Sequence, residues 1–143
     1  MEGQLKLAPN TRYAIRLLFE LDASAGPLSI SALSRRTGLS FRVLENIHAV
    51  LKQNGVTDAL VGAKGGIGLQ TPLDEISLGQ VVSWFEEGVR FNVCCGEKAY
   101  ECPQQDNCAT RSSWREVSAL VQETLDAVPL RKITGKYPGM LLP

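Results

Sequence analysis

The chain has 143 residues, enough for one compact domain or a small domain with an appended element, and too few for two large ones. Its 44% hydrophobic and 21% charged residues are the proportions of an ordinary globular protein and exclude a disordered chain. Formal net charge is +0, from 15 Lys and Arg against 15 Asp and Glu, which excludes an indiscriminate polycation for nucleic acid or membranes.

The neutral total conceals two opposed halves. Residues 1–72 hold eight basic and five acidic side chains, a balance of about +3, and residues 73–143 hold seven and ten, about −3. There is no run of about 18 apolar residues to span a bilayer, and the N-terminus lacks the basic and apolar regions of a signal peptide. A soluble, cytoplasmic protein with no membrane partner is expected.

In chain order, Asn10 or Thr11 is placed to cap a first helix that carries Ala14, Leu17, Leu18 and Leu21 on one face. Ala25-Gly26-Pro27 stops it near Ser24. Ser29 caps a short second helix with Ile30 and Leu33 turned inward, ending at Thr37-Gly38. Ser40 caps a third, with Val43, Leu44, Ile47, Val50 and Leu51 at helical spacing, ending at Asn54-Gly55. Two short helices split by a Gly-containing turn give helix-turn-helix spacing, which small helical bundles share.

The next segment separates those readings. Val56–Val61 and Ile67–Leu69 read as two short β segments around Gly62-Ala63-Lys64-Gly65-Gly66, whose glycines permit a tight hairpin. A hairpin directly after the second helix of the motif is a wing. Winged helix-turn-helix domains lay the helix in the major groove and the hairpin against the backbone or minor groove, and Lys64 suits a phosphate contact. Pro72 closes the wing, and Ser77 begins a helix containing Leu78, Val81, Val82, Trp84 and Phe85 that ends near Gly88.

Beyond Arg90 the pattern loses its period, and all four cysteines follow: Cys94, Cys95, Cys102 and Cys108. In a reducing cytoplasm structural disulfides are disfavoured and metal, cluster or redox chemistry is the better expectation. Thiolates are soft ligands for zinc or an iron-sulfur cluster. The paired Cys-x-x-Cys spacing of a zinc knuckle is absent and an adjacent pair chelates one tetrahedral metal poorly, so a cluster is favoured over zinc. Free loop cysteines without a ligand are the plain alternative. From Cys108 onward Trp114, Val117, Val121, Leu125 and Val128 recur at steps of three and four, giving a long amphipathic helix that Pro129 terminates. Part of that stripe is expected to pack on a second copy. A short helix around Leu130–Ile133 and a Gly/Pro-punctuated tail complete the chain.

Other chemistry-bearing residues have structural readings. His48, the only histidine, sits between Leu44 and Leu51 and reads as a core-edge or solvent-facing side chain, so no hydrolase triad is supported. Asp74-Glu75 and Glu86-Glu87 fit helix ends better than acid catalysis. Trp84, Phe85 and Trp114 read as core or interface aromatics. Arg35, Arg36 and Arg42 are candidates for phosphate contact.

Thr11-Arg12-Tyr13-Ala14, Gly26-Pro27, Leu44-Glu45, the Gly-rich wing, and Cys102-Pro103 to Cys108 followed by Trp114-Arg115 together resemble the Rrf2 family of bacterial transcription regulators, with its iron-sulfur and nitric-oxide-sensing branches. The resemblance runs from about Leu5 to Leu130. It implies a mainly α fold with a small β-hairpin: a winged helix-turn-helix domain plus a long C-terminal dimerisation helix crossing its partner. It further implies a homodimer on double-stranded DNA at a pseudo-palindromic promoter site, and a [4Fe-4S] or [2Fe-2S] iron-sulfur cluster held by three loop cysteines.

By the same resemblance Ser40, Arg42, Val43 and Glu45 match recognition-helix positions that face bases, and Lys64, Gly65 and Gly66 belong to the matching wing. Cys102 and Cys108 match the second and third cluster ligands. Cys95 has the more usual spacing for the first, and Cys94 is an alternative or fourth ligand. The chain departs from the family where Val61 and Ile67 stand for wing Arg and Tyr, where Arg111 stands for a ligating His, and where Arg12 stands for a ligating carboxylate. The expected layout is a DNA-binding domain over 1–72, a connecting helix over 73–90, a cysteine loop over 91–108, and a dimerisation helix and tail over 109–143. The rival readings are a cysteine-based thiol/disulfide redox protein and a regulator that senses a small molecule or partner without a metal.

Overall fold

The computed structural model describes residues 6–91 and 107–134. Three helices come first: α1 (Pro9–Ala23), α2 (Ile30–Thr37) and α3 (Phe41–Gln53). Ala14, Leu17, Leu18, Leu33, Leu44, Ile47 and Leu51 are buried together as their common core, as the helical spacing requires. Ser29 accepts from Ala32 N–H and Ser40 from Val43 N–H, the two expected caps. The first helix differs. It begins at Pro9, with Ala8 as N-cap and no side-chain cap of its own, so neither Asn10 nor Thr11 caps it; proline's fixed φ opens the helix instead.

Strands β1 (Thr57–Leu60) and β2 (Gly66–Leu69) form the antiparallel hairpin, paired from Thr57 with Leu69 to Leu60 with Gly66. The hairpin has a third partner. Leu28, between α1 and α2, exchanges both backbone hydrogen bonds with Ile67, at 3.0 and 2.8 Å. Gly66 makes this approach feasible: its φ is +148°, and a Cβ there would lie 2.5 Å from the Leu28 carbonyl.

A short 3-10 turn (Leu73–Glu75) leads to α4 (Leu78–Glu86), started by a complete capping box between Ser77 and Gln80. Glu87 and Gly88, with φ of 57° and 85°, turn the chain off α4 and toward α5 (Arg111–Asp126). The two helices meet closely at Gly79, where a Cβ would lie 2.6 Å from Asp126 N. The last helix, α6 (Leu130–Thr134), returns to the winged domain: Leu78 N–H donates to Val128 C=O and Leu130 N–H to Ile76 C=O, each at 2.8 Å. Leu130 is fully buried, and Arg131 reaches Asp22 on α1 and Asp74 in the 3-10 turn. Within α5 only Ser118 is buried, while Trp114, Val117 and Leu120 are 41%, 39% and 61% exposed. No described helix is long and apolar enough to cross a membrane.

Candidate nucleic-acid interface and cysteine segment

Helix α3 buries Leu44, Ile47 and Leu51 and presents the opposite face to solvent. Phe41, Arg42, Glu45, Asn46, Ala49, Lys52 and Gln53 are exposed there. Of the expected reading residues, Arg42 and Glu45 lie on this face. Ser40 is exposed, and its hydroxyl oxygen accepts from the Val43 amide at 3.3 Å, which leaves its proton and one lone pair for a ligand. Val43 is half-buried and packed against the core. Asn46 was not singled out by sequence reasoning, yet it stands one helical turn from Arg42 and beside Glu45. Its carboxamide is the type that pairs bidentately with adenine in the major groove. The signal was available in the three- and four-residue spacing from Arg42.

The wing is anchored to α3 at its base. His48 Nδ1 pairs with the buried Thr57 hydroxyl at 2.9 Å, and Lys52 meets Asp58 at 3.3 Å. Burial, reinforced by the Lys52 charge, lowers the His48 pKa, which keeps its imidazole neutral; this is the core-edge role expected of it. The Ala59 amide and then Lys52 hold the Asp58 carboxyl below the usual carboxylate range. At the tip Lys64 and Val61 are exposed, with Gly65 N–H donating to Gly62 C=O at 2.9 Å. Gly65 and Gly66 are half-buried backbone elements of the hairpin. Arg35 is exposed at the end of α2, whereas Arg36 pairs with Glu20 at 3.5 Å.

Of the four cysteines, Cys94, Cys95 and Cys102 lie outside the described residues. Cys108 is exposed and free, one residue before the Ala109-Thr110 entry to α5. Its Sγ lies 3.5 Å from the Thr110 hydroxyl, and that hydrogen bond, with the Thr110 and Arg111 amides and the Arg111 charge, lowers the thiol pKa. A thiol so placed favours the thiolate that soft metals bind, so the described donor fits a thiolate-ligated cluster. Among the described residues no group of three or more His, Cys, Asp or Glu side chains is placed to hold a metal ion.

The start of the cysteine segment is tied to α5. Val89 N–H donates to Gln122 Oε1 at 3.0 Å, Phe91 N–H to Ser118 Oγ at 3.3 Å, and the Phe91 ring stacks on Trp114 with centroids 6.5 Å apart.

A family model described as Rrf2, iron-dependent transcriptional regulator, matches residues 7–136. The chain belongs to the Rrf2 family. Rrf2 relatives include IscR of Aliivibrio salmonicida, 30% identical over 131 residues that span 90% of this chain and 77% of the relative. An Escherichia coli IscR is 29% identical over 133 residues, 92% of this chain and 81% of that one. Among solved structures, T. potens IscR superposes with a TM-score of 0.71 at 25% identity, covering 97% of this chain and 94% of the other. CymR, the global cysteine regulator of B. subtilis, shares the fold with a TM-score of 0.72 at 24% identity, covering 94% of this chain and 100% of the other. These relatives are named as regulators rather than enzymes, and this Rrf2 chain is a DNA-binding transcriptional regulator of winged-helix architecture.

Proposed function

We propose that this Rrf2 regulator senses redox, nitric oxide or iron-sulfur status through an iron-sulfur cluster, and reports it as occupancy of a pseudo-palindromic promoter site bound by a homodimer. Cys95, Cys102 and Cys108 would hold the cluster, with Cys94 as the alternative first ligand or the fourth. The observation that carries the reading is Cys108: an exposed thiol of lowered pKa, at the mouth of α5, in a family described as iron-dependent. When bound, a cluster supplies a centre whose charge and integrity respond to oxidants. The chain's own part is to hold that centre with thiolates and to differ in DNA affinity between loaded and empty states. A coupling of about 1–3 kcal/mol changes operator affinity roughly 5- to 150-fold.

DNA reading falls to the exposed face of α3, with Ser40, Arg42, Glu45 and Asn46 toward base edges. Val43 supports that helix from beneath. Lys64 meets the phosphate backbone, and Gly65 and Gly66 shape the wing that carries it. The exposed Trp114, Val117 and Leu120 on α5 supply the apolar surface on which a second copy packs.

The test is anaerobic purification followed by iron and acid-labile sulfide counts and absorption spectra, for the wild type and for Cys102→Ala and Cys108→Ala. Iron and sulfide in comparable amounts, lost in both variants, are expected. Zinc at one atom per chain would replace the cluster. Metal-free protein whose operator binding follows thiol oxidation would favour the disulfide reading, and metal-free protein indifferent to both substitutions would favour sensing of a small molecule or partner.

A further inference from the structure

Helix α1 lacks a capping side chain of its own, and the missing group comes from another helix. Glu86, the last residue of α4, accepts from the Ala8 amide at 3.0 Å through Oε1 and from the Thr11 hydroxyl at 2.5 Å through Oε2. Thr11 is fully buried, so its hydroxyl is committed to this carboxylate. Both carboxylate oxygens sit at the positive end of the α1 dipole, where a negative charge is stabilising. Helix α1 in turn packs on α2 and α3, whose buried Leu33, Leu44 and Ile47 share one core with Ala14, Leu17 and Leu18.

The other side of Glu86 leads to the cysteines. Glu87 and Gly88 follow in left-handed conformations, Val89 and Phe91 are hydrogen-bonded to Gln122 and Ser118, and Cys94 comes three residues after Phe91. One residue therefore joins the start of the cysteine segment to the first turn of the DNA-reading domain. A shift of the segment that moves the α4 terminus must either carry α1 with it or break a charged cap on a fully buried hydroxyl. Glu86 is thus a direct physical link between the end of α4 and the α1 N-terminus.

We propose that Glu86 is the positioning residue that couples the state of the cysteine segment to operator affinity, acting through Ala8 and Thr11 at the α1 N-terminus. The inference rests on the cluster reading above.

The experiment compares the wild type with Glu86→Gln and Thr11→Val on a duplex selected from a randomised library by the wild-type chain. Affinity is measured by fluorescence anisotropy for anaerobically reconstituted and for cluster-free protein. Amide hydrogen exchange over Asn10–Tyr13 is followed in both states as a readout independent of DNA. The wild type is expected to show an affinity ratio between states of about tenfold or more, within the usual range of such couplings. Both variants should retain wild-type iron content, yet bring the ratio below about threefold and make exchange at Asn10–Tyr13 the same in both states. Thr11→Ser should restore the ratio by returning the hydroxyl. Because Thr11→Val preserves side-chain shape, it answers the question even if Glu86→Gln folds poorly. Variants that weaken binding equally in both states, with the ratio kept, assign Glu86 a structural role only and overturn the proposal. A wild type with iron but a ratio of one overturns both this inference and the sensing reading, whereas a normal wild-type ratio unchanged in the variants overturns this inference alone.

Discussion

Gly66 shows how much one position can carry. Its backbone occupies a region that L side chains rarely adopt, and the Leu28 backbone fills the space that a Cβ would need. Gly66→Ala should therefore cost more than about 1 kcal/mol of stability, seen as a lower urea midpoint, and weaken operator binding through a displaced wing. His48 supplies a residue-level pH dependence. Its folded-state pKa is lowered by burial and by Lys52, whereas the unfolded imidazole takes its proton near about pH 6.5. The stabilisation is complete above that pH and is lost as pH falls through the lower folded-state pKa. Melting temperature should decline between about pH 7 and 5 in the wild type, and decline less in His48→Gln, whose carboxamide can still accept from Thr57. A parallel decline in both proteins would contradict this.

At the scale of elements, α3 and the wing divide specificity from affinity. Arg42→Ala or Asn46→Ala should alter base preference at individual operator positions by about 1–3 kcal/mol, measured by competition among mutated duplexes. Lys64→Ala should weaken all duplexes alike and reduce the slope of log affinity against log salt by about one. These elements were legible because their signals are local. Ser29 and Ser40 announce helix starts, the leucines and isoleucine of α3 repeat at helical spacing, and the glycine-rich run Gly62–Gly66 marks the hairpin turn. What escaped depends on distant partners. The Leu28 bridge to Ile67, the return of Leu130 to Ile76 and the Glu86 cap on α1 join residues 39 to 78 positions apart, and nothing in the flanking sequence marks them. Thr11 illustrates the mechanism: its hydroxyl looks like a local cap, but Pro9 starts the helix earlier and Glu86 claims the hydroxyl. The cysteines were readable as a concentration of soft donors, with Cys94 and Cys95 both open as the first ligand, and of the four Cys108 lies among the described residues.

The whole molecule joins an N-terminal half of positive balance, which contains α3 and the wing, to a more acidic half that contains the cysteines and α5. This explains how a chain of zero net charge binds DNA: the reading face is only part of it. Arg131, bridging Asp22 and Asp74, fastens α6, which follows α5, back onto the DNA-reading domain. If α5 pairs two copies, Leu120→Glu should shift sedimentation from a two-chain to a one-chain mass and weaken a two-half-site operator more than about tenfold, while a single half-site loses little. The central claim, that this Rrf2 chain converts cluster state into DNA occupancy, is tested most directly by one titration. Operator binding is followed anaerobically while the loaded protein is converted stepwise to the cluster-free form, with iron and sulfide counted at each step. Operator affinity should change in proportion to cluster content, and Cys108→Ala should be fixed at the cluster-free value. Affinity constant across the titration, or a Cys108→Ala variant that still follows it, would show that cluster state does not set DNA occupancy in this protein.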